Sequence, residues 1–353
     1  MKNISVIIPA YKPDEKLLST INDIVSGGFS DIIVVDDGGG SEFDGIFEKV
    51  KAIPECTLLR HEKNRGKGAA LKTAMNFFLE ERKDFIGAVT ADADGQHLSA
   101  DIFSVCEKLK STNRIVLGVR DFSEPQVPPR SRFGNRCTVA VMRLFFGMRI
   151  SDTQTGLRAF PKDVIPELLK IKGDRYEYET HMLFHMSKND LPFEEVKINT
   201  VYIEENKSSH FRPLRDSVRI YGMIIKYLLS SVAAALIDST VFFILKQFPL
   251  LSFIPIPLTF SAALAARVVS SLANYLINAK TVFGDRVNFK TLLKYYFLAA
   301  VQICVSALSV FLIEKVLLIE SALLSTLIKA VVDIVLFFIS FRIQHKWVFV
   351  SKK

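Results

Sequence analysis

The chain has 353 residues, a formal net charge of +8 and 49% hydrophobic residues, a length that suggests about two domains. Its mean hydropathy of +0.26 is high for a soluble enzyme, and the apolar excess lies after residue 220. No nucleic-acid-binding motif accompanies the positive charge, which suits attraction to anionic lipid headgroups. The four cysteines show no paired or metal-binding spacing, so they predict neither a disulfide framework nor a zinc site.

Strand-like and helical segments alternate in the N-terminal half. A β-rich run over Ile4–Pro9 precedes a helical stretch over about Pro13–Ser26, and a buried-strand pattern over Asp31–Val35 follows. This alternation predicts βαβ units and a mostly parallel sheet. The second strand ends in Asp36, Asp37 and a glycine-rich turn, where an acid can contact a base or ribose and glycine permits close backbone approach. An ordinary turn is the alternative interpretation of these residues.

The segment Asn64–Met75 opens a helix with glycines and two cations, Arg65 and Lys67. Because helix N-termini favour anions, these cations could face a pyrophosphate. The spacing G-x-x-x-x-G-K-[ST] is absent, so the segment is not a P-loop.

The apolar run Phe85–Ala91 stops at two carboxylates, Asp92 and Asp94. On an extended segment residues i and i+2 point to the same side, so a strand ending here would aim both carboxylates at one point. Such a point suits Mg²⁺ or Mn²⁺, with positions left for substrate phosphates and with Gln96 as a third candidate ligand. The open ends of parallel strands are also where α/β folds bind nucleotides. A solvated acidic turn is the alternative.

In this order the motifs resemble those of the family 2 glycosyltransferases, whose catalytic domain has the Rossmann-like α/β GT-A fold. The matching segments are Val6–Tyr11, Val34–Gly38, Asn64–Gly68 and Asp92–Gln96. The resemblance implies a nucleotide-sugar donor, a divalent metal on Asp92, Asp94 and Gln96, and transfer with inversion. The residues that it implies for donor binding are Pro9, Ala10, Tyr11, Asp36, Asp37, Lys67 and Asp92.

One position departs from the family pattern. Many members read Tyr-Asn-Glu after the first strand, whereas this chain reads Tyr11-Lys12-Pro13. The base of the donor is therefore left open, and resemblance to bacterial relatives favours a UDP-sugar over GDP-mannose.

A further strand over Ile115–Val119 is followed by a proline-rich loop and a group of arginines. Guanidinium groups bind phosphate bidentately, so these arginines are candidates to hold an acceptor phosphate. They are Arg120, Arg130, Arg132 and Arg136. A solvated basic loop is the alternative.

Two segments, Ser151–Phe160 and Tyr176–Glu179, are similar to acceptor-side segments of the polyprenyl-phosphate glycosyltransferases, which include dolichol-phosphate mannose synthases and bactoprenol glucosyltransferases. The segment Asn206–Asp216 resembles the one that closes over the donor in this family, which implies His210 and Arg212 at the donor diphosphate. The residues implied for catalysis are Asp94, Arg120, Arg132 and Gln154.

Four long apolar stretches follow, over about 224–246, 255–278, 292–313 and 320–341. Each reaches the ~20 residues that a membrane-spanning helix needs. The sequence therefore predicts a domain over 1–215 and an all-α membrane domain of four helices over 216–353. Cations are concentrated between the second and third stretches and at the C-terminus, so both termini and the catalytic domain are expected in the cytoplasm.

The membrane half also shows an internal repeat. Ile225–Leu228 recurs as Leu293–Tyr296, and Asn278–Phe283 recurs as Gln344–Phe349. Two spans per repeat restore the same side, so the repeats would be parallel; chance similarity is the alternative. With Asn274–Phe283 and the closing Lys346–Phe349, this half resembles the GtrA-like family of four-span proteins.

Four ionisable residues lie within the predicted spans: Asp238, Arg267, Lys329 and Asp333. Such residues usually face the bundle interior and pair with one another, because a lone charge in lipid is costly. Pairs that hold helices together are one interpretation, and a polar path or a docking point for a lipid phosphate is the other.

Together these features predict a multi-pass cell-membrane enzyme with an inverting reaction. It would transfer a single sugar from a nucleotide-diphosphate sugar to undecaprenyl or dolichyl phosphate at the cytoplasmic face. A processive polysaccharide synthase is the rival enzyme, but the chain lacks Gln-x-x-Arg-Trp around its single tryptophan, Trp347. A lipid-linked sugar translocase is the rival from another class, and homo-oligomerisation is left open.

Overall fold

The computed structural model describes residues 1–125, 127–199, 213–248, 258–318 and 321–349. Two compact units divide the chain, Met1–Asp216 and Ser217–Lys353.

A seven-stranded sheet forms the centre of the first unit. Its strands are β1 (Ile4–Ala10), β2 (Ile32–Asp36), β3 (Cys56–Arg60), β4 (Gly87–Thr90), β5 (Ile115–Arg120), β6 (Arg158–Pro161) and β7 (Phe193–Ile198). Their order in the sheet is β3-β2-β1-β4-β6-β5-β7. Strand β6 runs antiparallel to β4 and β5, and every other neighbouring pair is parallel.

Seven α-helices connect these strands. They are α1 (Lys16–Ser26), α2 (Asp44–Lys51), α3 (Lys67–Glu81), α4 (Ser99–Thr112), α5 (Pro129–Val141), α6 (Ile165–Leu168) and α7 (Glu177–Lys188). A 3₁₀ turn over Ser41–Phe43 precedes α2, and a π-helical segment over Met142–Phe146 continues α5.

The central strands are buried along nearly their whole length: β2 and β4 contain no exposed or half-buried residue. Helices cover both faces of a parallel sheet, which is why such strands are continuously apolar rather than alternating. The prediction of a mostly parallel α/β sheet is confirmed. The sequence did not predict β3, β6 or β7, of which β3 and β7 are largely half-buried and lack the long apolar run.

The sheet brings the predicted donor motifs to one edge. In the parallel pairs of β1 with β2 and of β1 with β4, all three strands end at the same side. Ala10 at the end of β1 lies opposite Asp36 at the end of β2. The residues that follow these three strands therefore occupy one region, beyond the carboxyl ends of adjacent strands.

The second unit is helical. Its helices are α8 (Pro213–Gln247), α9 (Leu258–Ile277), α10 (Phe289–Leu317) and α11 (Ala322–Ile343), with π-helical segments Asn278–Val282 after α9 and Gln344–Val348 after α11. In the described part, three segments are long and apolar enough to cross a membrane, Gly222–Gln247, Phe289–Leu317 and Leu323–Val348. They correspond to the first, third and fourth predicted spans. The stretch predicted as the second span is helical over Leu258–Ile277 but is not among the three.

Some residues at equivalent positions of the predicted sequence repeat lie in contact with each other. Asn278 donates from Nδ2 to Oε1 of Gln344, 66 residues later, at 3.2 Å. The rings of Phe283 and Phe349 are also repeat-related, and they stack with centroids 4.9 Å apart. Both contacts join the hairpin α8–α9, at its end, to the end of the hairpin α10–α11.

The four ionisable residues of the predicted spans are paired. Asp238 on α8 lies 3.6 Å from Nε of Arg267 on α9 and accepts a hydrogen bond from Ser270. Asp333 forms an ion pair with Lys329 within α11 and accepts a 2.7 Å hydrogen bond from Ser306 on α10. Asp238 and Asp333 each contact a neighbouring helix, whereas Lys329 pairs within α11. The interpretation that such pairs hold helices together stays a prediction.

Candidate active site

The loop after β4 is folded by its own polar groups. The backbone N–H of Asp92 donates to Nδ1 of His97 at 3.0 Å, and that of Gln96 donates to Oδ1 of Asp94 at 3.1 Å. At the end of β4, Thr90 donates from its hydroxyl to the carbonyl of Gly156 at 2.7 Å. The backbone of Asp92 and the carboxylate of Asp94 are therefore held by bonds within the loop, next to a second loop that contains Gly156.

Lys67, the first residue of α3, lies between two carboxylates. Its Nζ is 2.7 Å from Oδ1 of Asp92 and 3.1 Å from Oε2 of Glu179 on α7. Burial alone would lower the pKa of Lys67, but the two carboxylates outweigh it and hold that pKa above its ordinary value. Burial would likewise raise the pKa of Asp92, but the ammonium of Lys67 outweighs it and lowers this pKa to about 2. The ion pair is thus fully charged at neutral pH.

The pKa of Asp94 is shifted in the direction opposite to that of Asp92. Burial and the negative charge of Asp92 raise the pKa of Asp94. Burial also lowers the pKa of His97, which favours a neutral ring there. The site therefore holds carboxylates whose mutual repulsion is only partly balanced by Lys67.

A divalent cation fits this arrangement. Oδ2 of Asp92 and Oδ2 of Asp94 accept no hydrogen bond from the residues that the structure describes, and carboxylate oxygens are the ligands that Mg²⁺ and Mn²⁺ prefer. Among the described residues no cluster of three or more His, Cys, Asp or Glu side chains could hold a metal by itself.

Gly156 sets the position of the Asp92 carboxylate. A Cβ at residue 156 would lie 2.3 Å from Oδ2 and 2.9 Å from Cγ of Asp92, closer than any non-bonded contact permits. The absence of a side chain at Gly156 therefore makes room for the carboxylate. This residue was not predicted, although it lies within the segment Ser151–Phe160.

Asp37 holds the turn that leads into α3. Its two carboxylate oxygens accept from Nδ2 of Asn64 at 3.0 Å and from the backbone N–H groups of Arg65 at 3.0 Å and Gly66 at 2.8 Å. Its Oδ1 is also 2.7 Å from Nδ1 of His61. Asp37 is thus bonded within the protein and fixes the start of α3, and with it the backbone that carries Lys67.

Asp36, at the end of β2, is also engaged inside the protein. Its Oδ1 accepts from the backbone N–H of Gly38 at 3.0 Å, and its Oδ2 lies 2.9 Å from Nε of Arg60. Pro9 and Ala10 lie in the last positions of β1, and half-buried Tyr11 follows them. Direct contact of these residues with a donor stays a prediction.

Arg120, at the end of β5, is oriented by a buried carboxylate. Its Nε and Nη2 bind the two oxygens of Asp152 at 2.7 and 3.2 Å, and its guanidinium lies 5.1 Å from the centroid of the Phe122 ring. The side chain of Asp152 is fully buried, while a quarter of that of Arg120 is exposed. The guanidinium is therefore fixed in position by Asp152 and still reaches the surface.

The remaining residues predicted for the acceptor and for catalysis lie on α5 and in the loop before β6, where the backbone N–H of Gln154 donates to Oδ1 of Asp152 at 2.9 Å. Arg132 on α5 is half-buried and donates from Nη2 to the carbonyl of Glu124 at 2.9 Å. Arg136 on α5 and Gln154 before β6 are exposed. The side chain of Arg130 lies outside what the structure describes, as do His210 and Arg212.

Arg158 joins the acceptor-side loop to α7. Its buried guanidinium donates from Nε to the carbonyl of Thr155 and from Nη1 to the carbonyl of Glu179, at 2.9 and 2.6 Å. Glu179 in turn faces Lys67. Neither residue was predicted individually, although Arg158 lies within the segment Ser151–Phe160 and Glu179 within Tyr176–Glu179.

Comparison with known proteins assigns the chain to a family. The profile of glycosyl transferase family 2 matches residues 5–169, and that of the GtrA/DPMS transmembrane domain matches residues 226–349. A UDP-N-acetylglucosamine–dolichyl-phosphate N-acetylglucosaminyltransferase of Methanococcus voltae is 30% identical over 221 residues, which cover 58% of this chain and 87% of that protein. The chain belongs to the family 2 glycosyltransferases.

Two other relatives are similar to a comparable length of this chain. An uncharacterized protein of Methanocaldococcus jannaschii is 31% identical over 210 residues, which cover 58% of this chain and 84% of that protein. A dolichyl-phosphate beta-glucosyltransferase of Dictyostelium discoideum is 26% identical over 245 residues, 62% of this chain and 73% of that enzyme. This family 2 glycosyltransferase is thus an enzyme whose catalytic domain is joined to a GtrA/DPMS membrane domain, as both resemblances in the sequence predicted.

Substitution of Gly156 tests whether this glycine sets the position of the Asp92 carboxylate. Gly156→Ala should displace the Asp92 carboxylate and lower sugar transfer about a hundredfold, the cost of misplacing a reacting group by about 1 Å. Thermal unfolding of the purified variant should stay close to that of the wild type, because the Asp92 side chain can shift. Gly45→Ala is the matched control, since a Cβ at residue 45 meets nothing within 4 Å. Wild-type transfer by Gly156→Ala would contradict the assigned role of this glycine.

Proposed function

We propose that this glycosyltransferase moves a single sugar, with inversion, from a nucleotide-diphosphate sugar to a polyprenyl phosphate at the cytoplasmic face of the cell membrane. The observation that carries the proposal is the charged cluster beyond β4, in which Lys67 balances only part of the negative charge of Asp92, Asp94 and Glu179. The named activities of the Methanococcus voltae and Dictyostelium discoideum relatives support a dolichyl-phosphate type of acceptor.

Asp92 and Asp94 would hold Mg²⁺ or Mn²⁺, with Gln96 as the third candidate ligand. Such an ion neutralises the charge that develops on a departing diphosphate. Lys67 is the cation next to this position, and its raised pKa keeps it protonated at neutral pH. Pro9, Ala10 and Tyr11 would line the donor from β1, and Asp36 and Asp37 would support it through the turns that they hold.

The acceptor phosphate is already an anion near neutral pH, so it needs positioning more than a general base. One of its oxygens would attack the anomeric carbon from the face opposite the diphosphate. The new bond to the sugar forms as the bond to the diphosphate breaks, and inversion follows. Arg120, held by Asp152 and partly exposed, is the best-placed guanidinium to bind that phosphate, with Arg130, Arg132 and Arg136 as further candidates.

A UDP-sugar is the proposed donor, in keeping with the Methanococcus voltae enzyme, which is named for UDP-N-acetylglucosamine. The membrane unit would contribute four spans, with α9 as the second, and would place both termini and the catalytic unit in the cytoplasm. A domain boundary near residues 215 and 216 is part of the same proposal.

The proposal is tested by transfer in a defined system. Purified full-length protein in lipid nanodiscs receives a polyprenyl phosphate and, in separate reactions, UDP-N-acetylglucosamine, UDP-glucose or GDP-mannose, and mass spectrometry detects the glycolipid. We expect one UDP-sugar to give a polyprenyl-phosphate monosaccharide, and Asp94→Asn to lower its formation about a hundredfold, a typical loss for an electrostatic transition-state contact.

Asp163→Asn provides the matched control, because this carboxylate is exposed after β6 and is remote from the motif loop. Product of normal yield from Asp94→Asn, or from wild type in excess EDTA, would remove the metal from the mechanism. A polymer instead of a monosaccharide would favour the processive synthase.

Orientation is tested by reporters. A reporter fused after Lys353 and another inserted near Val287 should both report cytoplasm, because cations flank these positions, whereas one near Ser252 should report the outside. An external C-terminus would overturn the four-span arrangement.

A further inference from the structure

The membrane unit contains a cavity that the proposed reaction does not use. Its volume is about 160 Å³, and side chains from all four helices line it. The polar lining residues are Tyr227, Ser231, Asn274, Tyr295, Gln302, Ser340 and Gln344. Polar groups between membrane helices are costly unless they find partners. Most of these groups are hydrogen-bonded to one another, and the few with unused bonding capacity favour a polar occupant.

The internal repeat explains how the lining arises. Tyr227 on α8 and Tyr295 on α10 are repeat-equivalent, and each hydroxyl accepts a hydrogen bond from an amide of the other hairpin. Gln344 donates to Tyr227 at 3.1 Å, and Asn274 donates to Tyr295 at 3.0 Å. The cavity thus lies where the two hairpins meet, with one tyrosine from each.

Two amides of the lining have hydrogen-bonding capacity to spare. Oδ1 of Asn274 is buried and accepts no hydrogen bond within the part of the chain that the structure describes. Gln302 lines the same cavity, and no side-chain hydrogen bond to it is found among the described residues. An unpaired buried acceptor is a loss that a bound donor would remove.

The charge of the lining indicates the chemical class of the ligand. Among the residues that the structure describes, no Lys, Arg, His, Asp or Glu lines the cavity. A phosphate lacks a cation here, and a buried anion without one is unfavourable. Hydroxyls and amides beside the rings of Tyr227, Tyr295 and Phe337 instead suit an uncharged group that both donates and accepts, and that also presents C–H faces.

We propose that this cavity binds the uncharged sugar of a glycolipid. It has room for about five water molecules at ~30 Å³ each, or for one sugar ring whose hydroxyls replace them. The proposed function enters only as the source of such a lipid in the cell. The uncharged lining therefore does not support the alternative hypothesis that the spans contain a docking point for a lipid phosphate.

The test uses a probe that does not depend on the enzyme's own reaction. Full-length protein in nanodiscs is irradiated with an alkyl β-glucoside that carries a diazirine on the sugar, and labelled peptides are identified by mass spectrometry. We expect labels on the lining segments of α8, α10 and α11, and we expect excess unlabelled alkyl glucoside, but not an alkyl phosphate, to suppress them.

Two adjacent alanines on α10 provide a matched pair. Ala299 lines the cavity and is half-buried, whereas Ala300 is exposed on the outside of the helix. Ala299→Leu fills the cavity and should abolish labelling there, while Ala300→Leu should leave it unchanged. Gln302→Leu should weaken labelling about fivefold, as expected for one lost hydrogen bond to an uncharged group, and Gln247→Leu at the exposed end of α8 should not.

A second experiment uses polyprenyl lipids in place of the alkyl glucoside. Native mass spectrometry should show that wild type retains a polyprenyl-phosphate sugar better than the bare polyprenyl phosphate, and that Ala299→Leu removes this preference. Equal labelling in both alanine variants, or suppression by the alkyl phosphate, would overturn the proposal and leave the cavity to water. If labelling succeeds but the catalytic assay yields no glycolipid, the cavity proposal stands and the proposed reaction fails.

Discussion

The arrangement of the catalytic unit depends on the ammonium of Lys67 between Asp92 and Glu179. This one cation joins the start of α3, the loop after β4 and helix α7. Each neighbouring interaction keeps one of the three parts in place: Asp37 holds the turn before Lys67, His97 holds the loop of Asp92, and Arg158 holds the carbonyl of Glu179. Charge is balanced incompletely, and this imbalance makes the site suited to a cation and an anionic diphosphate.

The sequence predicted the parts of this site better than their connections. An apolar run that ends in Asp92 and Asp94 depends on local periodicity, so both the strand and the pair could be read directly. The antiparallel strand β6 could not, because its place between β4 and β5 is decided by pairing across the sheet. For the same reason Glu179 and Gly156 escaped prediction, because their importance arises from contact with Lys67 and Asp92, more than sixty positions away in the chain. Arg158 escaped prediction because its buried bonds to the carbonyls of Thr155 and Glu179 depend on how α7 packs.

Asp36 and Asp37 show what a sequence motif leaves undetermined, namely the contacts that its side chains make. The motif identifies them as donor-side residues, yet both carboxylates are bonded to neighbouring backbone and side chains. In the membrane unit the predicted repeat relates Asn278 to Gln344 and Phe283 to Phe349, and these residues lie in contact. The repeat itself stays a prediction. A single acidic motif likewise does not fix which way its side chains turn.

The most direct test of the account is whether the carboxylate pair takes up a divalent cation together with a nucleoside diphosphate. Electron paramagnetic resonance measures free Mn²⁺ during titration of the full-length protein with UDP present. The account predicts that wild type removes about one Mn²⁺ per chain from solution when UDP is present, and that Asp92→Asn does not. Equal uptake of Mn²⁺ by wild type and Asp92→Asn would contradict it.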